Sequence, residues 1–108
     1  MKRLERGDVV TALFFKDKPR PGVVIRASRY VESENVTLCP LTSTLAGGPL
    51  RVRVMPGMSG LERESEIIPY RITTLPTHRI GEPIGRLSHS ELQEMDSVLR
   101  EWLALDEK

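Results

Sequence analysis

The sequence predicts a mainly β (α+β) domain, a small partly closed β-barrel with one C-terminal α-helix packed on it. Two features lead there. At least five short apolar runs follow one another at close spacing, broken by Gly and Pro, and one stretch with helical spacing comes last. A chain of 108 residues holds one core and not two, so residues 1–108 are expected to be a single domain, and no internal repeat or low-complexity tract interrupts it.

Met1–Gly7 is a charged lead, and Gly7-Asp8 is a turn signal that releases the first strand. Val9, Val10, Ala12, Leu13, Phe14 and Phe15 form a nearly continuous apolar run, the pattern of a strand covered on both faces. In the following FKDKPRPG, Pro19 and Pro21 bracket Arg20. Each proline fixes its own φ and biases the residue before it towards extended backbone, which holds Lys18 and Arg20 out of helix. Arg20 is thus an arginine on a stiffened backbone, and it leads into a second core strand at Val23, Val24 and Ile25. Arg26–Asn35 is polar and reads as a loop or hairpin connection.

Val36–Thr44, VTLCPLTST, is the focal stretch. Val36, Leu38 and Leu41 alternate as in a half-buried strand, which carries Thr42, Ser43 and Thr44 out to a strand mouth or edge. Cys39 lies inside the apolar part and is expected to be a buried, inert thiol. Ala46-Gly47-Gly48-Pro49 is a loop that can lie close to whatever approaches it. Leu50–Met55 alternates Leu50, Val52 and Val54 with Arg51 and Arg53, a strand with an arginine face.

Pro56–Glu64 reads as a loop, Ile67 and Ile68 as a short core strand closed by Pro69, and Ile72–Leu75 remains without an assignment. Pro76–Pro83 reads as connector and Ile84–Leu87 as the last short strand. The helix spans Ser88–Leu105. Ser88 with Glu91 three residues on fits a capping box, and Leu92, Met95, Leu99, Trp102 and Leu103 mark a core face that includes the only tryptophan.

Composition narrows the function classes. Hydrophobic residues make up 39% and charged residues 29%, as in soluble globular proteins. No apolar run approaches the roughly 20 residues of a membrane span, and MKRLERGDVV lacks the apolar middle of a signal peptide, so a cytoplasmic protein without a membrane partner is expected. The net charge of +1 hides a division: residues 1–86 hold 14 Lys and Arg against 9 Asp and Glu, and residues 87–108 hold 2 against 6. The basic front suits an anionic partner, and arginine is the side chain whose planar fork best reads phosphate.

Metal and cofactor chemistry find little support. His78 and His89 are neither paired at ligand spacing nor joined by a carboxylate cluster, Cys39 is alone, and Gly47-Gly48 belongs to no phosphate-cradling motif. No metal and no cofactor are therefore expected. A hydroxyl needs a base or a cation beside it to do chemistry. A constrained arginine, a hydroxyl cluster and an arginine-faced strand suit RNA cleavage by its own 2′-hydroxyl, in which the protein aligns the substrate and neutralises charge on phosphorus. The plainer reading of the same residues is a loop cation at Arg20 and hydroxyls at Thr42–Thr44 that satisfy turn amides.

The motifs GDVV at Gly7–Val10, RPGVVI at Arg20–Ile25, CPLTST at Cys39–Thr44, SEIIPYRITTL at Ser65–Leu75 and IGRLSHSELQEMDSVLREWLAL at Ile84–Leu105 occur in this order. In that order the chain resembles the MazF/PemK toxins of toxin–antitoxin pairs over nearly its whole length. The resemblance implies an SH3-like barrel with a C-terminal helix and a homodimer. It also implies metal-independent cleavage of single-stranded RNA to 2′,3′-cyclic phosphate and 5′-hydroxyl ends, and neutralisation by a cognate antitoxin with an acidic segment. The family's catalytic arginine falls on Arg20 and its catalytic hydroxyl on Thr42, with Lys18, Ser43, Arg51, Arg53 and Arg71 as candidates to bind RNA or support the site.

Two departures stand out. The loop before Arg20 is the short FKDKP, in which Asp17 is the carboxylate, and Arg71-Ile72-Thr73-Thr74 stands where many members have Gln-Ile-Arg-Thr. Two alternatives stay open at this point: a gyrase poison like CcdB, which shares the fold but ends in Trp-Gly-Ile rather than in Ala104–Lys108, and a barrel that binds nucleic acid without cleaving it.

Overall fold

The computed structural model describes residues 3–15 and 18–106. The expectations for Lys16 and Asp17 lie outside the described residues. Seven strands form one curled antiparallel sheet: β1 (Asp8–Ala12), β2 (Arg20–Val24), β3 (Asn35–Thr42), β4 (Val52–Val54), β5 (Ser65–Ile67), β6 (Thr73–Pro76) and β7 (Ile80–Arg86). The single α-helix, α1 (His89–Trp102), follows. Strand order is β4-β5-β3-β2-β1-β7, and β6 also pairs with β3. β3 is the pivot. Its first half pairs with β6 and its last two residues with β5, while Leu38–Pro40 face β2 on the other edge. The fold is the expected mainly β half-barrel with a C-terminal helix.

The apolar run at the front behaves as its pattern predicts. Val9 packs into a core shared with α1, and Val10 and Ala12 pack into a second core on the opposite face of the sheet. The first core gathers Val9, Val23, Cys39, Val52, Ile67 and Met95, among others. The second gathers Leu4, Val10, Val24, Leu38, Leu75 and Ile80, with Phe14 against it. Burying a side chain such as Met95, at 0% exposure, stabilises the fold by about 1.5–3 kcal/mol. Cys39 is fully buried, and burial pushes its thiol up to about 12, as befits an inert core residue.

The capping box is present. The Ser88 hydroxyl accepts from the Glu91 amide at 3.2 Å, and the Glu91 carboxylate accepts from the Ser88 amide at 2.9 Å. Arg6 holds the middle of the helix with a two-pronged contact to Asp96 at 2.6 and 3.1 Å.

Three expectations require correction. Phe15 is not core: β1 ends at Ala12, and Phe15 is 84% exposed. Pro76–Pro83 is not a plain connector, because Ile80 already pairs with Ala12, the Leu13 amide donates to the Arg79 carbonyl at 2.9 Å, and the Arg79 side-chain Nε donates back to the Leu13 carbonyl at 2.8 Å. Pro83 is tolerated because β7 is an edge strand whose register shifts at the Val10–Pro83 pair, a place where a missing N–H does no damage. Trp102 and Leu103 are 49% and 43% exposed instead of core-facing, and α1 ends at Trp102 rather than at Leu105. Beneath the last turn of α1 lies the 3₁₀ turn Pro69–Arg71, not a strand, and the indole packs beside the Tyr70 ring, 5.7 Å away between centroids. Ile72–Leu75, unassigned from sequence, supplies most of β6. Among the described residues no helix is long and apolar enough to cross a membrane.

Candidate active site

The strands converge at one mouth, where the end of β1, the start of β2, the end of β3 and the start of β5 surround an open cleft of about 890 Å³. Arg20 opens β2 opposite Ala12 of β1. The β2–β3 ladder pairs Val24 with Leu38, Val23 with Cys39 and Gly22 with Pro40 and ends there, two residues short of Arg20 at the start of β2 and of Thr42 at the end of β3. Antiparallel pairing of β2 with β3 brings the start of one strand to the same end of the sheet as the end of the other, across a separation of two dozen residues. Arg20 and Thr42 both line the cleft, with Ser43 beside them.

Thr42 has a defined hydroxyl. Its Oγ1 accepts the Thr44 amide at 3.1 Å, which leaves the hydroxyl proton free to donate into the cleft. The cations of the cleft are Arg20, Arg63 and Arg71. Among the described residues none of the three is in an ion pair, in contrast to Arg6, Arg51, Arg53 and Arg86. Phe14 and Phe15 form an apolar wall, their rings 6.4 Å apart. The Phe14 ring lies so close over Gly22 that a Cβ there would come within 2.7 Å of it, so the glycine makes room for this wall.

The other candidates fall elsewhere. Lys18 is exposed and does not line the cleft. Arg53 is exposed on β4, as the arginine face predicts, but it pairs with Glu64 at 2.9 Å and Glu66 at 3.4 Å. Arg51 precedes β4 and is mostly buried, with Nη1 3.1 Å from Glu66 and Nε donating to the Tyr70 hydroxyl at 3.2 Å. That hydroxyl, then Glu66, holds the Arg51 guanidinium even further above its usual range. Neither arginine lines the cleft.

Two residues of the site were not singled out from sequence. Arg63 sits in a charged run that reads as plain loop, and it reaches the cleft because residues 58–60 cross over β7. At this crossing Gly60 has φ +75° and Gly85 of β7 leaves no room for a side chain, so the two glycines are the sequence signal for the crossing. Glu66 stands opposite Thr42 on β5, and the signal for it is a carboxylate placed to face an arginine-bearing neighbour strand. Among the described residues no group of three or more His, Cys, Asp or Glu is gathered as metal ligands would be.

A family described as the PemK-like, MazF-like toxin of type II toxin-antitoxin systems matches residues 5–103. The chain belongs to this family. A probable endoribonuclease MazF of Mycolicibacterium smegmatis is 30% identical over 107 residues, covering 94% of this chain and 98% of the relative. Among solved structures, MazF of Deinococcus radiodurans superposes with a TM-score of 0.81 at 20% identity, covering 96% of this chain and 99% of the other. An endoribonuclease in complex with its cognate antitoxin, from a mycobacterial species, superposes with a TM-score of 0.80 at 20% identity, covering 94% and 96%. These two structures agree with the PemK/MazF half-barrel at the level of fold.

Proposed function

We propose that this PemK/MazF-family chain is a sequence-selective endoribonuclease that cleaves single-stranded RNA through the RNA's own 2′-hydroxyl. The observation that carries the reading is that Arg20 and Thr42, at the neighbouring ends of β2 and β3, line one cleft with Arg63 and Arg71, none of these arginines being in an ion pair among the described residues. The name of the M. smegmatis relative supports it. In the reaction the 2′-oxygen bonds to phosphorus and the P–O5′ bond breaks. The 2′-hydroxyl loses its proton to water and O5′ gains one, which gives a 2′,3′-cyclic phosphate and a 5′-hydroxyl.

An arginine stays protonated throughout, so Arg20 acts by charge and hydrogen bonding on the non-bridging and leaving oxygens as negative charge grows there. The Thr42 hydroxyl keeps its proton and donates a hydrogen bond to a phosphate oxygen. The chain's own cations supply the charge neutralisation, and the substrate supplies the nucleophile. Exposed Phe15 beside these cations suits a single strand, whose unstacked bases can lie on an aromatic face.

In this reading the protein works in the cytoplasm as a homodimer, and an antitoxin with an acidic segment silences it by occupying the same arginines. The mycobacterial neighbour solved with its cognate antitoxin supports that partner. The test is cleavage of a single-stranded RNA pool in EDTA. Arg20→Ala and Thr42→Ala are each expected to lower kcat by about 10²–10³ while leaving the folded protein intact, as removal of one charge-stabilising donor does. Undiminished cleavage by Arg20→Ala overturns the site, and RNA binding with no cleavage by the wild type overturns the reaction.

A further inference from the structure

Glu66 is buried beside the cleft and takes no part in the chemistry just described. Its side chain is 2% exposed, and its partner on β3 is Thr42. Four donors converge on it: the Ala46 amide at 2.9 Å, the Gly47 amide at 3.0 Å, Arg51 Nη1 at 3.1 Å and Arg53 Nη2 at 3.4 Å. A carboxylate offers about four lone-pair sites, so this one is saturated and has nothing left for a substrate. The donors keep its carboxyl below the usual carboxylate range, the Ala46 amide most of all.

The two amides matter for the cleft. They belong to the segment that leaves β3 at Thr42, and every residue from Ser43 to Pro49 is exposed, so apolar packing does not hold that segment. Hydrogen bonds do. The Thr44 amide donates back to the Thr42 hydroxyl, and the Ala46 and Gly47 amides donate to Glu66. The hydroxyl rim of the cleft is therefore stretched between the end of β3 and the Glu66 carboxylate.

We propose that Glu66 is the positioning residue of this active site, fixing through the Ala46 and Gly47 amides the segment that aims the Thr42 hydroxyl and Ser43 into the cleft. The proposal rests on the nuclease reading above. Arg51 and Arg53 then serve to compensate the buried carboxylate, and in this role they reach the reaction only through it.

The test compares Glu66→Gln with the wild type by steady-state cleavage of a fluorogenic single-stranded RNA and by thermal melting. A glutamine turns its NH₂ onto two donors whichever way it is flipped. Expected are a kcat lower by about tenfold or more, because small misplacements of catalytic groups are costly, and a KM changed by less than about threefold. The Thr42→Ala/Glu66→Gln double variant should be no slower than Thr42→Ala alone, since residues acting as a unit are not additive. Glu64→Gln, which touches Arg53 but not the rim segment, should keep kcat within about twofold. Should Glu66→Gln fail to fold, Ala46→Pro deletes one rim donor while keeping Glu66 and both arginines, and it is expected to lower kcat in the same way. A folded Glu66→Gln with kcat within about twofold of the wild type, a double variant whose losses multiply, or an unaffected Ala46→Pro overturns the proposal. A wild type that cleaves no RNA overturns the nuclease reading instead, a separate and distinguishable outcome.

Discussion

Gly85→Ala tests the crossing on which one wall of the cleft depends. Gly85 lies in β7 opposite Val9, and a Cβ built there falls 2.3 Å from the Ser59 carbonyl carbon and 2.4 Å from the Met58 oxygen. Both are backbone atoms, so no rotamer change relieves the clash. Gly81, on the same strand, is the control: its Cβ meets Thr11 Oγ1 at 2.6 Å, an atom that a χ1 rotation can move away. Alanine at position 85 must lift residues 58–60 off the strand and break the 2.9 Å hydrogen bond from the Arg86 amide to the Met58 oxygen. Loss of that bond costs about 0.5–1.5 kcal/mol and overpacking about 1–3 kcal/mol, together about 1.5–4.5 kcal/mol. For a chain of this size that lowers Tm by at least about 6 °C. Leu61 and Arg63 follow the displaced segment into the cleft, so KM for RNA should rise while Arg20 and Thr42 stay in place. Urea and thermal melts of both variants, with steady-state cleavage, provide the assay. A Gly85→Ala protein as stable and active as the wild type, or one more stable than Gly81→Ala, refutes the reasoning.

Two further predictions concern charge. Binding of a non-cleavable 2′-deoxy oligonucleotide should weaken with salt, and Arg63→Ala or Arg71→Ala should each reduce the slope of log K against log salt by about 0.7, the single-strand value per phosphate contact. Arg53→Ala, outside the cleft and paired with Glu64 and Glu66, should leave the slope unchanged, and equal slopes for all three variants would remove Arg63 and Arg71 from the RNA path. The second prediction concerns pH. The folded carboxyl of Glu66 lies below its unfolded value, mainly through the Ala46 amide and with Gly47, Arg53 and Arg51 in support. A depressed carboxyl contributes stability that is fully present above the unfolded value of about 4.3 and disappears as pH falls through the folded one. The melting difference between the wild type and Glu66→Gln should therefore be constant from neutral pH down to about 5 and shrink below it. A difference that grows on acidification would contradict the assigned hydrogen bonds.

Much of the fold was legible in residue order because its signals are local. Val9-Val10 at the head of a short apolar run after a turn signal has the pattern of a strand covered on two faces, and the structure sends each to its own core. Ser88 and Glu91 are three residues apart, the spacing at which a helix start satisfies itself, and both hydrogen bonds form. The burial of Cys39 follows in the same way from its apolar neighbours. Trp102 escaped because helical periodicity tells which residues share a face but not how far the sheet extends beneath it. Ile80–Pro83 escaped because Pro83 speaks against a strand unless an edge and a register shift accommodate it.

The candidate site divides along the same line. By itself the sequence determined that Arg20 is held in extended backbone by two prolines, and that Thr42–Thr44 emerge from the end of a buried strand. Only the tertiary structure decided that the β2–β3 pairing brings this arginine and this threonine to one cleft and that residues 58–60 cross β7 to bring Arg63 into it. It also decided that Glu66 draws Arg51 and Arg53 away from the cleft and onto itself. The reason is physical: backbone preference and apolar period act over a few residues, whereas register, loop crossings and the partners of a buried charge are settled by contacts far apart in the chain.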